Sequence, residues 1–491
     1  MNRSLRKTAY GLMAAFVVLL GSVVWIQAVQ GSEYRDDPRN PRLVAWRTGR
    51  ERGPIVTADD VLVAISTPSA SDANTYRREY PEGPLYAHTV GYTSVLFGST
   101  GLEGRWSPTL VSDRDATISG VLNALLGGDP RPRGLRLTIN HDLQVAAAEA
   151  LGDQRGAVVA IDPRTGAILA LVSSPTFDPN TLVDANAFEA GEALTNDPTE
   201  PLRNRVTDET YPPGSVFKVV TATAGFDAGV VSPSTEFDDP LELELPGTDA
   251  TIGNFGDTRC NGGLPVPLDI AFVRSCNTVF AQLGMDVGGR QLAITAQRLG
   301  FDAEIPFDLT TLVSRFPNGE TLEVDPAATA QTAIGQRDVQ TTPLLMALAA
   351  AAIANDGLIM EPYLVSDVFT SGGELEFQTE PRVWRRSLSP ATASVLATMM
   401  EQVVISGTGT KAGVPGVRIG GKTGTAEVTG SAPHAWFIAF GPVDAGPDED
   451  SIAIAVVVES GGNFGESATG GSAAAPIAQK VLAAFFGVTV D

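Results

Sequence analysis

The sequence is poor in several residue types that common functional sites need. Its 491 residues include only two cysteines and three histidines, and His88, His141 and His434 lie far apart in the chain. A clustered zinc or iron site is not expected, because such sites gather three or four Cys or His ligands. Basic residues are also few, 34 against 57 acidic ones. The formal net charge of −23 argues against nucleic acid as the main partner, and we expect neither a metal ion nor a cofactor.

Lysine is the scarcest charged residue in the chain. It occurs five times, as Lys7, Lys218, Lys411, Lys422 and Lys480. A lysine inside a catalytic pattern is therefore more informative here than in an average sequence. The apolar fraction of 43% is ample for a folded core, and the length predicts two or three domains.

Only one apolar run is long enough to cross a membrane. Residues 10–30 carry no charge, and as a helix they would rise about 31 Å, enough for the hydrocarbon core. Arg3, Arg6 and Lys7 precede the run, so the positive-inside rule predicts a cytoplasmic N-terminus and an extracellular remainder. We expect a cytoplasmic tail over residues 1–9 and a retained anchor over 10–30. A cleaved signal peptide is the alternative, and both export the rest of the chain.

Two regions follow the anchor. Residues 31–135 are predicted to form a small non-catalytic module, α+β or β-rich, with an arginine-rich stalk over 32–55 and a turn-rich linker over 127–134. Residues 136–491 are predicted to form one α+β domain. Its expected elements are a helix over 141–151, a buried hairpin around 163–166, an apolar helix over 215–229, strands over 419–428, 435–441 and 451–459, and a closing helix over 472–486. Turn residues between the strands favour antiparallel pairing.

Three short motifs in the second region point to nucleophilic catalysis. They are Ser215-Val216-Phe217-Lys218, Ser275-Cys276-Asn277 and Lys422-Thr423-Gly424-Thr425. On a helix the side chains of Ser215 and Lys218 share a face. A lysine activates a serine only when its pKa falls well below about 10.4, which apolar neighbours and a second cation both favour. Lys422 is the candidate for that second cation.

The remaining motif residues fit the other tasks of such a site. Ser275 is placed to relay a proton to a leaving amine, and Asn277 can both donate to and accept from a lysine and a substrate amide. Lys422, Thr423 and Thr425 suit a substrate carboxylate, and Gly424 lets the substrate backbone approach closely. The backbone N–H groups of Ser215 and Thr425 are candidates for an oxyanion hole.

Each motif alone is a weak signal, but their order is specific. The pattern S-x-x-K also occurs at residues 4–7, where it belongs to the basic flank of the anchor. All three motifs occur in order in a domain expected to be exported. It is therefore a poor explanation that they are three unrelated turns without a shared function. His434 is a poor rival base, because no G-x-S-x-G elbow surrounds Ser215 and a lysine already stands beside it.

These motifs and the stretches around them resemble the penicillin-binding proteins, which are serine D,D-transpeptidases inhibited by β-lactams. The stretches that carry the resemblance are GAVVAIDPRTGAILALVSSPTFDPN, PLRNRVTDETYPPGSVFK, GTGTKAGVPGVRIGGKTGTAEV and APHAWFIAFGP. The likeness is strong over residues 140–491 and weaker near residue 90. Residues 31–135 are too few for a glycosyltransferase domain, so the resemblance is to class B, and within it to an actinobacterial subgroup.

The resemblance implies a penicillin-binding α+β fold, an antiparallel sheet flanked by helices, and an acyl-enzyme on Ser215. It implies catalytic roles for Ser215, Lys218 and Ser275, and substrate binding by Asn277 and the third motif. The implied partners are peptidoglycan stem peptides, β-lactams as covalent inhibitors, the cell membrane, a glycosyltransferase and other proteins of cell division and cell shape. The open alternatives are a D,D-carboxypeptidase that uses water as acceptor, a β-lactamase, and a non-catalytic division scaffold.

One of the two cysteines lies inside the second motif. Cys260 and Cys276 have 15 residues between them, and outside the membrane a disulfide between them can persist. Such a bridge would contribute about 3 kcal/mol in the loop-entropy treatment and would also hold Ser275 and Asn277. We expect the bridge, with two unpaired thiols as the alternative.

Overall fold

The structure is a computed structural model that describes residues 3–28, 49–69, 75–111, 131–184, 186–446 and 448–490. Most of the expected stalk over 32–55, the first four residues of the expected linker over 127–134, and the end of the expected anchor lie outside these ranges. The helices are α1 (Arg3–Ala28), α2 (Gly83–Val90), α3 (Gly101–Arg105), α4 (Ser107–Leu110), α5 (His141–Leu151), α6 (Ala187–Asn196), α7 (Lys218–Asp227), α8 (Leu268–Arg274), α9 (Asn277–Val287), α10 (Gly289–Leu299), α11 (Gly319–Glu323), α12 (Pro326–Ala333), α13 (Pro343–Ala354), α14 (Pro390–Ser406) and α15 (Ala475–Phe485).

The described strands form a five-stranded antiparallel sheet, a six-stranded mixed sheet and several two-stranded pairs. They are β1 (Ile55–Val56), β2 (Leu62–Pro68), β3 (Tyr76–Glu79), β4 (Thr93–Ser94), β5 (Gly98–Ser99), β6 (Gly134–Leu137), β7 (Gly156–Ile161), β8 (Ile168–Ser174), β9 (Glu236–Phe237), β10 (Glu242–Glu244), β11 (Thr251–Gly253), β12 (Val266–Pro267), β13 (Leu358–Met360), β14 (Val365–Phe369), β15 (Leu375–Gln378), β16 (Val383–Arg386), β17 (Gly420–Val428), β18 (Ser431–Gly441) and β19 (Ile452–Val458).

Helix α1 matches the expected anchor. Its segment Arg6–Ile26 has a mean hydropathy of 2.2 and is the one helix in the described ranges long and apolar enough to cross a membrane. The side chains of Arg6–Ile26 are exposed to the surroundings, as a lipid-facing helix requires.

A five-stranded antiparallel sheet forms the centre of the catalytic region. Its strand order is β17-β18-β19-β7-β8, so the N-terminal hairpin pairs with the C-terminal strands through β7 and β19. The predicted hairpin, the three predicted C-terminal strands and their antiparallel pairing are confirmed. Every residue of β7 and β19 is buried, which explains their continuous apolar runs.

Helices cover both faces of this sheet. One layer contains α5 and α15, whose apolar residues pack with Val158 and Ala160 of β7. The alternate β7 residues Ala157 and Val159 face the opposite core, in which α13 lies. Helix α13 is apolar on every side, and all of its residues from Pro343 to Ile353 are buried. This layered α+β architecture is the predicted fold class.

The N-terminal module shares a sheet with the catalytic region. The order β15-β14-β6-β1-β2-β3 joins strands from residues 55–79 to strands from residues 365–378 through β6. Within the module Glu103 accepts hydrogen bonds from the guanidinium groups of Arg52 and Arg78, and all three side chains are buried. The sheet crosses the proposed boundary between residues 135 and 136, and the domain limits stay a prediction.

Candidate active site

The apolar helix predicted over 215–229 forms, but it begins as a 3₁₀ turn, and the first motif spans that turn and the first residue of the α-helix. The turn spans Gly214–Phe217, and helix α7 starts at Lys218. Residues three apart eclipse each other on a 3₁₀ turn, so Ser215 and Lys218 lie on one side of the chain. Gly214 has a φ of +53°, and a Cβ there would lie 2.5 Å from the carbonyl oxygen of Thr425. Glycine is therefore required for the nucleophile segment to contact β17.

Ser215 and Lys218 differ sharply in exposure. Ser215 is partly exposed and lines a cleft of about 960 Å³, while Lys218 is fully buried. Val216 and Phe217, between them, are also buried and fix the turn in the core. The arrangement offers the serine hydroxyl to a substrate and keeps the lysine away from water.

The second motif joins two helices at a left-handed residue. Ser275 has φ 61° and ψ 41° and ends α8, while Asn277 is the first residue of α9. Lys218 Nζ donates to the carbonyl oxygen of Ser275 at 2.7 Å, and it lies 3.4 Å from Ser275 Oγ. It also donates to Asn277 Oδ1 at 2.7 Å. The structure thus brings together the first two motifs, which are separated by about sixty residues of chain.

The third motif occupies the edge strand β17. Lys422 is fully buried, and its Nζ donates to Ser275 Oγ at 2.8 Å and to the carbonyl oxygen of Thr423 at 3.0 Å. Thr423 and Thr425 line the cleft. A Cβ on Gly424 would lie 2.9 Å from the carbonyl oxygen of Pro213, so this glycine also lets the nucleophile segment pack against the strand.

Two buried lysines therefore share one hydroxyl. Burial, and then the nearby Lys422 ammonium, hold the pKa of Lys218 well below its usual range. Burial lowers the pKa of Lys422 to about 7. A neutral Lys218 can accept a proton near neutral pH, which a lysine in water cannot do.

The disulfide loop, residues 251–263, covers the second motif. Cys260 and Cys276 are joined by a disulfide with their Cα atoms 6.1 Å apart. The buried carboxylate of Asp239 accepts the backbone N–H groups of Cys260, Asn261 and Gly263 at 2.7–2.9 Å. The carboxylate of Asp239 therefore organises this loop.

Asn254 is a site residue that the sequence analysis missed. Its Oδ1 accepts the backbone N–H groups of Asn277 at 2.7 Å and Thr278 at 3.1 Å, so it caps α9 from outside the helix. The neighbouring Gly253 carbonyl accepts from Asn277 Nδ2 at 3.0 Å. No sequence signal marks Asn254, because it lies 23 residues before the helix that it caps.

A second missed group fixes the approach to the nucleophile. Tyr211 donates its hydroxyl to Glu459 Oε1 at 2.6 Å, and Arg205 Nε donates to the same oxygen at 2.8 Å. Trp436 Nε1 donates to the carbonyl of Pro212 at 3.1 Å.

His434 packs edge to face on Tyr211, and its Nδ1 accepts the backbone N–H of Ser460. These contacts give His434 a packing role, which agrees with its being a poor rival base.

Comparison with known proteins identifies matches to both the N-terminal module and the catalytic region. The profile of the penicillin binding protein transpeptidase domain matches residues 156–483, and that of the penicillin binding protein A dimerisation domain matches residues 52–134. Peptidoglycan D,D-transpeptidase PbpA of Mycolicibacterium smegmatis is 40% identical to this chain over 99% of both sequences. PbpA of Mycobacterium tuberculosis is also 40% identical, over 99% of both.

Solved structures agree with the fold. The ceftriaxone acyl-enzyme complex of penicillin-binding protein A from M. tuberculosis has a TM-score of 0.81 and 38% identity, covering 89% of this chain and 99% of that one. Pseudomonas aeruginosa PBP2 in complex with WCK 5153 has a TM-score of 0.73 and 32% identity, covering 89% and 96%. Since one family profile spans two thirds of the residues and full-length relatives are 40% identical, the chain belongs to the penicillin-binding protein transpeptidase family.

Proposed function

We propose that this chain is a membrane-anchored D,D-transpeptidase that crosslinks peptidoglycan stem peptides through an acyl-enzyme on Ser215. The observation that carries the proposal is the pair of buried lysines, Lys218 and Lys422, that share the hydroxyl of Ser275 in the cleft that the partly exposed Ser215 also lines. The relatives support it, because they are named peptidoglycan D,D-transpeptidases and the M. tuberculosis protein forms acyl-enzymes with ceftriaxone and penicillin G.

In the first half-reaction Ser215 Oγ attacks the carbonyl carbon of the penultimate D-alanine of a stem peptide. Lys218 takes the hydroxyl proton, because burial and the nearby Lys422 charge lower its pKa and favour the uncharged amine. The N–H groups of Ser215 and Thr425 stabilise the oxyanion. The C–N bond to the terminal D-alanine breaks, and Ser275, in contact with both lysines, passes a proton to the leaving amine.

The third motif and Asn277 orient the substrate during this step. Lys422, Thr423 and Thr425 bind the terminal carboxylate, and Gly424 leaves room for the peptide backbone next to the strand. Asn277 presents its amide to the substrate while its Oδ1 accepts from Lys218. In the second half-reaction an amine of a neighbouring stem peptide attacks the ester carbon. The new amide C–N bond forms, the bond to Ser215 Oγ breaks, and the amine proton returns to Ser215.

The proposal includes the orientation of the protein and its associations. Residues 1–9 lie in the cytoplasm, and the module and the catalytic region lie outside the cell, where peptidoglycan is assembled. Arg3, Arg6 and Lys7, at the N-terminal end of α1, support this orientation. The chain lacks room for a glycosyltransferase domain between α1 and the catalytic region, so a separate glycosyltransferase supplies the glycan strands. Other division and shape proteins are its further partners.

Intact-protein mass spectrometry tests the nucleophile. A chain beginning at residue 49 is incubated with benzylpenicillin, beside Ser215→Ala and the surface control Lys480→Gln. We expect a stable added mass on the wild type and on the control, and none on Ser215→Ala. No adduct on a folded wild-type chain would overturn the proposal and favour the scaffold.

Product analysis tests the acceptor. The wild-type protein is given a stem-peptide donor and an amine-bearing acceptor, and the products are separated by liquid chromatography with mass detection. A crosslinked dimer is expected. Release of free D-alanine without a dimer would instead indicate a D,D-carboxypeptidase, and rapid turnover of benzylpenicillin would indicate a β-lactamase.

A further inference from the structure

The charges around the catalytic cleft are distributed against the trend of the whole chain. The chain carries a net charge of −23, yet Arg259, Arg274 and Lys411 line the cleft beside the nucleophile. The acidic residues that line it are Asp257 and Glu427. The lining of the cleft therefore carries three positive and two negative side chains, a net positive charge on an acidic protein.

The positive charge is not spread evenly along the cleft. Arg259 and Asp257 lie two residues apart on the disulfide loop. Burial raises the pKa of the Asp239 carboxyl, but the backbone N–H groups of the loop, and after them the Arg259 charge, bring it below its usual range. Arg259 is therefore balanced by its own neighbours. Glu427 is four residues beyond Thr423 on β17, about 13 Å along the strand. The cleft is consequently most positive at the end near Thr423 and Ser275.

Arg274 stands at that positive end. It immediately precedes Ser275, is exposed, and donates through Nη1 to the carbonyl oxygen of Cys260. That partner is uncharged, so it orients the guanidinium without neutralising it. Among the described residues, Arg274 has no carboxylate within ion-pair distance.

Lys411 reaches the same end of the cleft from another element. It lies on the 3₁₀ turn Thr410–Ala412 and is exposed. The hydroxyl of Thr408, three residues earlier, is 2.6 Å from that of Thr423, which ties this turn to the third motif. Lys411 likewise forms no ion pair within the part of the chain that the structure describes.

We propose that Arg274 and Lys411 form a subsite for a carboxylate on the incoming acceptor amine. The proposal rests on the proposed transpeptidase function. Lys422, Thr423 and Thr425 already serve the donor carboxylate. Arg274 adjoins Ser275, which passes a proton to the leaving amine, and the incoming amine takes the position of that leaving group. An anion held by Arg274 and Lys411 would place its amine beside Ser275, and would thereby favour the amine over water as acceptor.

A partition experiment tests the subsite. The enzyme is acylated by a benzoyl-D-alanyl thioester and offered a stem tripeptide with free carboxylates or the same peptide with its carboxylates amidated. The ratio of amide product to hydrolysis product is measured for each acceptor. We expect the wild type to favour the acidic acceptor by about threefold to tenfold, the range of one or two exposed charge pairs.

Three variants separate charge from structure. In Arg274→Gln with Lys411→Gln the preference for the acidic acceptor should disappear, while acylation by benzylpenicillin stays within about twofold of wild type. Arg274→Lys keeps the charge and should keep most of the preference. Lys480→Gln makes the same charge change outside the cleft and should behave as wild type. Raising the salt concentration to about 0.5 M should reduce the wild-type preference and leave that of the double variant unchanged.

The outcomes distinguish the two proposals. If the wild type is acylated but forms no amide product with either acceptor, the transpeptidase function fails. If it forms amide products without preferring the acidic acceptor, or if the double variant keeps the preference, the subsite is refuted while the transpeptidase function stands.

Discussion

At the residue scale, the chemistry depends on how the fold changes two lysines. Lys218 and Lys422 are both fully buried and both contact Ser275. Desolvation favours the uncharged form of each, and the repulsion between them adds to the effect on Lys218. If the same motifs lay in an exposed loop, both lysines would keep their usual pKa, and neither could act as a base near neutral pH. Burial is what converts the pattern into a candidate catalytic group.

The coupling between the lysines predicts a pH effect. Acylation requires uncharged Lys218, so its rate rises with pH through the Lys218 pKa. Below pH 7 Lys422 is largely charged, and its repulsion depresses that pKa. Removing the like charge in Lys422→Gln favours protonated Lys218, and the acid limb of the rate profile should move up by about one pH unit. The measurement is the second-order rate of acylation by benzylpenicillin between pH 5 and 9.

Two comparisons distinguish a shift of the pH profile from a general loss of activity. Lys422→Gln will also lower the maximal rate, because Lys422 belongs to the substrate-binding machinery, but the position of the limb is independent of that maximum. Lys480→Gln should leave both unchanged. A limb that stays in place or moves to lower pH in Lys422→Gln would contradict the coupling.

At the element scale, the placement of Asn277 depends on how α9 begins. The residue before the helix is Cys276, whose side chain is committed to the disulfide and makes no capping hydrogen bond. Asn254 supplies the missing cap from the disulfide loop by accepting two backbone N–H groups of the first turn. The loop therefore determines where the first residue of α9, and hence its contact with Lys218, is held.

Replacing this cap should affect both stability and acylation. Asn254→Ala leaves two backbone N–H groups of α9 without their acceptor and should lower the free energy of unfolding by about 1–2 kcal/mol. It should also slow acylation by benzylpenicillin, because Asn277 loses its fixed position. Asn254→Asp retains an acceptor oxygen and should recover most of the stability. Urea unfolding and acylation rates provide the two measurements.

A second capping residue serves as the matched control. Asn318 caps α11 through the backbone N–H groups of Glu320 and Thr321, and it does not line the cleft. Asn318→Ala should therefore cost stability without slowing acylation. Equal acylation rates in Asn254→Ala and wild type would show that the cap supports the helix alone.

At the scale of the whole molecule, one sheet joins the module to the catalytic region. Strand β6 pairs with β1 on one side and with β14 on the other. Leu135 and Leu137 of β6 and Val365 and Val368 of β14 are all buried in the same core. This pairing makes the N-terminal module a structural part of the unit that carries the site.

The shared sheet predicts cooperative unfolding. A chain beginning at residue 49 should unfold in one calorimetric transition. A chain beginning at residue 138 lacks β1, β2, β3 and β6, exposes the edge of β14, and should melt at least about 5 °C lower or aggregate. Two well-separated transitions in the longer chain, or equal melting temperatures, would mean that the module and the catalytic region are energetically independent.

Much of the architecture was determined locally. The charge-free run near the N-terminus, the apolar runs of β7, β8 and β19, and the polar turns between strands specify a helix and antiparallel strands wherever they occur. The motifs identified the chemistry, because S-x-x-K spacing places serine and lysine one turn apart. These features depend on residues close together in sequence, and hydrophobic periodicity and turn residues report such features well.

Tertiary packing decided the rest. The first turn of the predicted helix over 215–229 is 3₁₀ rather than α-helical, because Gly214 must fit against Thr425 of β17. The hydrogen bond from Lys422 to Ser275 spans 147 residues, and the cap from Asn254 joins a loop to a helix. The depressed lysine pKa values follow from burial that only the assembled core provides. Local patterns carry no information about which distant segments will pack together, so these contacts, and the positive end of the cleft, emerge only in the folded chain.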